Sequence, residues 1–214
     1  MKLYDYAFSS AAYRARIALN LKGIAYERAV ISLIKDGGQQ HSAAYKAINS
    51  QALIPTLEAD GHTIGQSLAI IEYLDEVYPS PPLLPSYPAE KARVRQIAYE
   101  IACDIHPVNN MRVRAQLKAM GHPEDEIMTK WYAHWITLGF AALETQLSAS
   151  KETGKYCHGD RPTLADICLV PQMANAYRFK VPVDAFPTLV RIDKTAREHP
   201  AFAAAAPEKQ PDAA

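Results

Sequence analysis

Cysteine is scarce in this chain, and net charge is absent. The three cysteines, Cys103, Cys157 and Cys168, are odd in number and widely spaced, with no C-x-x-C pair among them. That spacing excludes a disulfide framework and a thiolate metal cluster. Because no cysteine precedes Cys103, it also excludes a dithiol redox centre in the first third of the chain. The three are read as reduced structural thiols. The 23 basic and 23 acidic side chains cancel, so the basic excess of a nucleic-acid binder is missing. No apolar run approaches the roughly 20 residues that span a bilayer. The N-terminal Met1-Lys2-Leu3-Tyr4-Asp5-Tyr6 lacks the apolar core of a signal peptide. A soluble cytoplasmic protein is expected, partnered by neither membrane nor nucleic acid. The seven histidines are scattered and His106 has no neighbour at ligand spacing, so no metal is expected.

What is present is an ordinary globular composition, 49% hydrophobic and 21% charged over 214 residues, enough for one large domain or two small ones. The first third alternates two kinds of signal. Lys2–Tyr6 reads as a strand. Ser9 and Ser10 precede a helix-forming run from Ala11 to Leu21, which Gly23 ends. Tyr26–Ile31 is a second strand and His41–Ile48 a short helix. Residues 55–58 and 63–65 are two strands joined by an Asp60-Gly61 hairpin turn. Ser67 is expected to cap a helix running to Tyr78, with Ile70, Leu74 and Val77 on one face. The order is βαβαββα, an α/β domain over residues 1–80, with the first strands parallel and the last two antiparallel.

Pro79, Pro81, Pro82, Pro85 and Pro88 then fall close together and stop both helix and sheet. Residues 81–88 read as a linker. Residues 89–214 read as an all-helical domain. One long helix is expected from Ala89 to about Leu117, bent at Pro107. A second runs from Pro123 to Leu147, and a capping box at Thr163–Asp166 opens a buried third. Phe186–Glu198 is expected to be the last helix, with a loosely held tail from Pro207.

Four places can carry chemistry. Ser9-Ser10 stands where a strand gives way to a helix, a site that favours an anion and can donate a hydrogen bond to a thiolate; simple N-capping is the plainer reading. Ile54-Pro55 precedes a strand. A cis bond there would turn the Ile54 backbone outward to pair with a peptide-like ligand, whereas a trans bond would merely open an edge strand. Gln66-Ser67 opens a helix that can seat a carboxylate. Cys103 to Asn110 sets polar groups, His106 and Asn110 among them, inside a helix that should pack on a neighbour.

Those residues carry a family resemblance. The stretch from Ser9-Ser10-Ala11-Ala12-Tyr13-Arg14-Ala15-Arg16 to Tyr26 resembles the signature of zeta-class glutathione transferases. So do Ile31 to Gln40, Leu53 to Leu57, Gln66 to Leu74, Asp166 to Gln172, Asn175 to Val181 and Gln210-Pro211-Asp212. The class includes maleylacetoacetate isomerases and the similar maleylpyruvate isomerases. The resemblance implies a thioredoxin-like N-terminal domain that binds glutathione, and a helical C-terminal domain that shapes the substrate site. It implies that Ser9 activates the glutathione thiol with Ser10 beside it. Ile54, before a cis-Pro55, would pair with the glutathione backbone. Gln66 and Ser67 would hold the γ-glutamyl carboxylate, with Gln40 toward the glycyl end. His106 and Asn110 would approach the ligand from the helical domain, and Arg178, with Arg112 as a second candidate, would pair with a substrate carboxylate. The implied activity is glutathione-dependent cis–trans isomerisation of a conjugated diacid, in tyrosine or other aromatic catabolism, by a homodimer.

Two positions depart from the family pattern. Ala11 stands where the signature has cysteine, and Phe8 stands where many relatives carry a basic residue. Both changes favour a more apolar electrophile. A general glutathione transferase or peroxidase therefore stays open, as does a binding module without chemistry.

Overall fold

The computed structural model describes residues 1–213. Strand β1 (Lys2–Asp5) leads into helix α1 (Ser10–Leu21), followed by β2 (Glu27–Val30), α2 (Ala43–Ile48), β3 (Thr56–Ala59), β4 (His62–Gly65) and α3 (Ser67–Val77). The sheet order is β2-β1-β3-β4. β1 and β2 are parallel, while β1–β3 and β3–β4 are antiparallel. This is the expected thioredoxin-like βαβαββα unit. The hairpin turns through Asp60 and Gly61, at φ 51° and 78°. That pair of positive φ values matches the right-handed twist of the strands, and glycine adopts its share without steric penalty.

The period of two along β1 divides its neighbours. Leu3 and Asp5 are buried without exposure. Tyr4 and Tyr6 point to the other face and cluster with Tyr45 and Ile54, with Phe8, Ile31 and Ile48 packed against them. Asp5 is a carboxylate in a core, and the partner that permits it is Arg16 of α1, at 2.5 Å, with neither side chain exposed. The same guanidinium donates to the carbonyls of Tyr6 (3.3 Å), Ala7 (2.9 Å) and Ala205 (3.0 Å). Lys22, at the end of α1, donates to Asp75 (2.6 Å) and to the carbonyls of Tyr78 and Pro81, fixing the proline-rich exit.

The chain forms two compact units. The first takes residues up to Pro82 and again from Glu198 onward; the second is Leu83–Arg197. The second unit holds α4 (Pro88–Tyr99), α5 (His106–Val108), α6 (Met111–Ala119), α7 (Glu124–Glu126), α8 (Ala133–Ala149), α9 (Leu164–Arg178) and nearly all of α10 (Pro187–Glu198). The long helix expected to Leu117 is broken. A π-type widening over Glu100–Ile105 precedes Pro107, which has no N–H to offer the Cys103 carbonyl. The helix stops at Asn109, and Asn110 caps α6 by accepting from the Arg112 N–H. The capping box at Thr163 is present: Asp166 accepts from the Thr163 N–H and hydroxyl, and from the Cys157 N–H, at 2.8–2.9 Å. Of the three cysteines, Cys157 and Cys168 are buried and Cys103 is exposed. No helix among the described residues is long and apolar enough to cross a membrane.

The C-terminal end corrects two expectations. Phe186–Glu198 does not contain the last helix, because α11 (Pro200–Ala205) follows and packs on α1. Nor is the tail loosely held. Gln210 is buried and donates to the carbonyls of Ala204 and Ala206. Asp212 accepts from the Ala7 N–H at 2.8 Å and pairs with Arg28 at 2.8 Å. Proline, alanine and charge suggest a solvated tail when read locally, but the Asp212 partners Ala7 and Arg28 lie 205 and 184 residues away in sequence.

Two outcomes follow from this packing. Arg16→Ala leaves Asp5 with Arg28 alone and strips three carbonyls of a donor; it should destabilise the protein by about 3–5 kcal/mol in urea unfolding. Burial pushes the Asp212 carboxyl up, but the Ala7 N–H and Arg28 outweigh it and hold the carboxyl below its usual range. Its contribution is therefore complete above the unfolded value of about 3.9 and disappears as pH falls through the lower folded value. The Tm difference between wild type and Asp212→Asn should be constant near neutrality and vanish in acid.

Candidate active site

The sheet register gathers the candidate residues of the first unit. Tyr4 lies opposite Thr56, and Thr56 opposite Gly65. Asp5 lies opposite Val30. The end of β1, the start of β3, the end of β4 and the end of β2 thus share one edge of the sheet. From that edge emerge the loop to Ser9, the Ile54-Pro55 step, the Gln66-Ser67 step and the segment that reaches Gln40. Residues far apart in sequence meet because antiparallel and parallel pairings bring these ends together.

Ser9 is the N-cap of α1, with extended backbone (φ −80°, ψ 115°). Its Oγ accepts the Ala12 N–H at 3.2 Å, and its own N–H donates to Tyr6 at 3.0 Å. With the oxygen acting as acceptor, the hydroxyl proton is the group left to donate outward. Ser10 is buried in the first turn. Phe8 packs edge-on against Tyr6, with ring centroids 6.1 Å apart.

The Ile54-Pro55 bond is cis. Ile54 stands ahead of the ladder, which begins at Thr56, so its N–H and C=O lie outside the sheet pairing. Ser67 does not cap α3 as expected. It is the first residue of the helix, and the cap position belongs to Gln66, at φ 65° and ψ 118°, with no side-chain cap bond. A non-glycine residue held at positive φ is strained, and such strain collects at functional sites. The first turn of α3 keeps the unsatisfied N–H groups and positive dipole end that suit a carboxylate. Behind it, the buried Arg14 guanidinium of α1 lies 3.5 Å from the Ser67 Oγ. Sequence reasoning missed Arg14 as an electrostatic partner of that site. Its signal was its place as one of two arginines, with Arg16, on a largely apolar helix α1.

Gln66 Nε2 donates to Gln51 at 2.9 Å. Gln40 sits in the 3-10 turn Gln39–His41, and its buried Oε1 has no partner. A hollow of about 590 Å³ opens beneath that loop, lined by residues such as Ile31, Asp36, His41 and Tyr45. The segment from the end of β2 through α2 supplies its lining, and Ser9, Ile54 and Gln66 do not line it.

In the helical unit, His106 opens α5 and is half-buried, while Asn110 uses its Oδ1 to cap α6, at 3.1 Å from the Arg112 N–H. Arg178 lies at the end of α9, with its guanidinium 5.2 Å from the centre of the Phe179 ring. Arg112 is exposed and is not the arginine that joins it. Arg114 is, at 5.3 Å from the same ring and 5.8 Å from the ring of Tyr132. Arg114 also pairs with Glu124 at 2.6 Å. Burial pushes the Tyr132 phenol up against the pull of both arginines. Arg114 lies one helical turn beyond the Asn110 cap, a position visible only once the break at Asn109 is known.

Comparison with known proteins decides what this arrangement is. Residues 3–82 match the glutathione S-transferase N-terminal domain, and residues 111–200 match the glutathione S-transferase C-terminal domain. The chain belongs to the glutathione S-transferase family. It is 49% identical to a probable maleylacetoacetate isomerase of Vibrio cholerae, over 99% of this chain and 97% of that one. Its fold matches the holo structure of maleyl pyruvate isomerase, a bacterial zeta-class glutathione S-transferase, with TM-score 0.96 and 44% identity over the full length of both. It also matches the maleylacetoacetate isomerase of Methylobacterium extorquens with bound malonate and glutathione, with TM-score 0.94 and 40% identity, covering 99% and 98% of the two chains. The zeta-class resemblance of the sequence motifs is therefore that of the whole chain.

The strained Gln66 generates a direct test. Gln66→Gly should keep stability within about 1 kcal/mol, whereas Gln66→Val, which tolerates positive φ poorly, should cost about 1–3 kcal/mol in chemical denaturation.

Proposed function

We propose that this chain is a glutathione-dependent cis–trans isomerase of maleylacetoacetate- or maleylpyruvate-type diacids. The observation that carries the reading is the Ser9 hydroxyl. It is oriented by the Ala12 N–H at the amino end of α1, on the sheet edge that also bears Ile54 and the start of α3. The full-length likeness to proteins named for this isomerisation supports the choice of reaction.

The residues on this edge fit glutathione. The amino end of α3, with Gln66, Ser67 and the Arg14 charge behind it, suits the γ-glutamyl carboxylate. The Ile54 backbone suits a peptide group, and the unpartnered Gln40 Oε1 suits a donor at the glycyl end. When bound, glutathione supplies a nucleophilic thiol for reversible addition to a conjugated double bond. Ser9 would offer its hydroxyl proton to the sulfur and, with the α1 dipole, would lower the thiol pKa. Within the helical unit, Arg178 and Arg114 over the Phe179 ring form a positive pair that would suit the carboxylates of a diacid. His106, Asn110 and Arg112 belong to the same proposal as groups of the helical unit, and so does a homodimeric, cytoplasmic enzyme.

A second reading, transfer of glutathione to apolar electrophiles, has its own observation. Phe8 joins the apolar cluster of Tyr6 and Ile54, and Ala11 adds no polar group.

Maleylacetone turnover with and without glutathione, for wild type and Ser9→Ala, separates the possibilities. Glutathione-dependent isomerisation should fall about 10- to 100-fold in the variant, the worth of one hydrogen bond to a charged group. Glutathione binding without turnover of maleylacetone, combined with turnover of a chloronitroaromatic, would establish the second reading. Absence of glutathione binding would leave a module without chemistry.

A further inference from the structure

The C-terminal tail reaches the loop that presents Ser9, and nothing in the reaction so far uses it. Ala7 has no exposed surface. Its N–H donates to Asp212 at 2.8 Å, and its carbonyl accepts from Arg16 at 2.9 Å. The preceding carbonyl, that of Tyr6, accepts both from Arg16 and from the Ser9 N–H. The peptide groups on both sides of Ala7 are thus clamped, the one before it by the tail and Arg16 together and the one after it by Arg16. Asp212 is itself held. Arg28 bridges it to Asp5, at 2.8 and 2.5 Å. Two residues earlier, the buried Gln210 is anchored to Ala204 and Ala206.

We propose that Asp212 is a positioning residue for thiol activation: the tail sets the Ala7 peptide, and that peptide sets the orientation of the Ser9 hydroxyl. The inference rests on the reading of Ser9 as the thiol-activating group. The geometry has a direct consequence. Without the Asp212 carboxylate, the buried Ala7 N–H loses its acceptor and Arg28 loses one of two counter-charges. The loop between β1 and α1 is then fixed only from the α1 side. A shift of a few tenths of an ångström there misaims a hydrogen bond whose strength depends steeply on angle. The negative charge of Asp212 at neutral pH agrees with its depressed carboxyl pKa. Local sequence could not disclose this role, since Asp212 lies in a segment whose composition suggests solvent.

The test uses the full-length protein, Asp212→Ala, which removes the acceptor, and a second variant ending at Gln210, which keeps the Gln210 anchor. Thiolate absorbance near 240 nm, followed against pH with saturating glutathione, reports the midpoint for ionisation of the bound thiol. That midpoint should rise by about one pH unit in both variants, and calorimetric glutathione affinity should change less than about threefold. At pH 7 kcat for maleylacetone should fall about tenfold with KM nearly constant. Asp212→Glu should restore part of the loss. In a Ser9→Ala background, removal of the Asp212 carboxylate should produce no further shift, because the two act through one hydroxyl. A lowered Tm with unchanged ionisation midpoint and kcat, measured well below the transition, would make the tail purely structural and overturn the proposal. So would a shift that persists in the Ser9→Ala background. If Ser9→Ala alone leaves the midpoint unmoved, it is the reading of Ser9 that fails, a result distinct from failure of Asp212 to move a midpoint that Ser9 does control.

Discussion

Arg16 and Asp5 hold the first unit together. Both are shielded from water, and burial pulls the Arg16 guanidinium below its ordinary pKa even with Asp5 beside it. An ion pair of this kind is a doubtful source of net stability, because removing two charges from water is costly. What it contributes is a defined geometry. A guanidinium offers donors in a fixed plane, and these are divided among β1, the loop after it and α11. An apolar residue of similar volume would pack, but it would take the Arg16 donor from the Ala7 and Ala205 carbonyls and leave the Tyr6 carbonyl with the Ser9 N–H. The path of the loop is therefore set by hydrogen bonds converging on one side chain.

The site grows from that loop. Mixed pairing in a four-stranded sheet brings strand ends and a helix start to one edge, where backbone groups lie outside the ladder. The amino ends of α1 and α3 add dipoles of one sign, and Arg14 adds a buried charge beside Ser67. An anionic, peptide-like ligand suits this edge because the amino ends of α1 and α3 contribute donors and positive ends, while Ile54 and Gln40 offer groups for a peptide. The same logic puts strain at Gln66, whose positive φ starts α3 where it does.

The helical unit follows a different principle. Its first long segment is interrupted by Pro107 and by Asn109, and each interruption redirects side chains that a continuous helix would send elsewhere. Arg114 reaches Phe179 and Tyr132 because α6 begins afresh at the Asn110 cap. The buried Asp166 uses its oxygens to anchor the start of α9, which carries Arg178 at its far end. Position and charge in this unit depend on where helices start.

Local chemistry in the sequence determined much of this protein. Strand alternation, the Ser9 cap, the Asp60-Gly61 turn and the Thr163–Asp166 box are short-range signals, and each produced its element where nearby residues demanded it. The motifs around Ser9, Ile54-Pro55 and Gln66-Ser67 also pointed to glutathione and to the zeta class before any contact was known. Tertiary structure alone decided the rest. The cis state of Pro55 was open from the residues themselves. Arg14 beside Ser67 depends on the packing of α1 on α3, and the meeting of Arg114 with the Phe179 and Tyr132 rings depends on a helix break. The ordered tail depends on a carboxylate meeting an amide some two hundred residues earlier in the chain. Contacts of that range leave no periodic or compositional trace, because their partners are set by how whole elements pack.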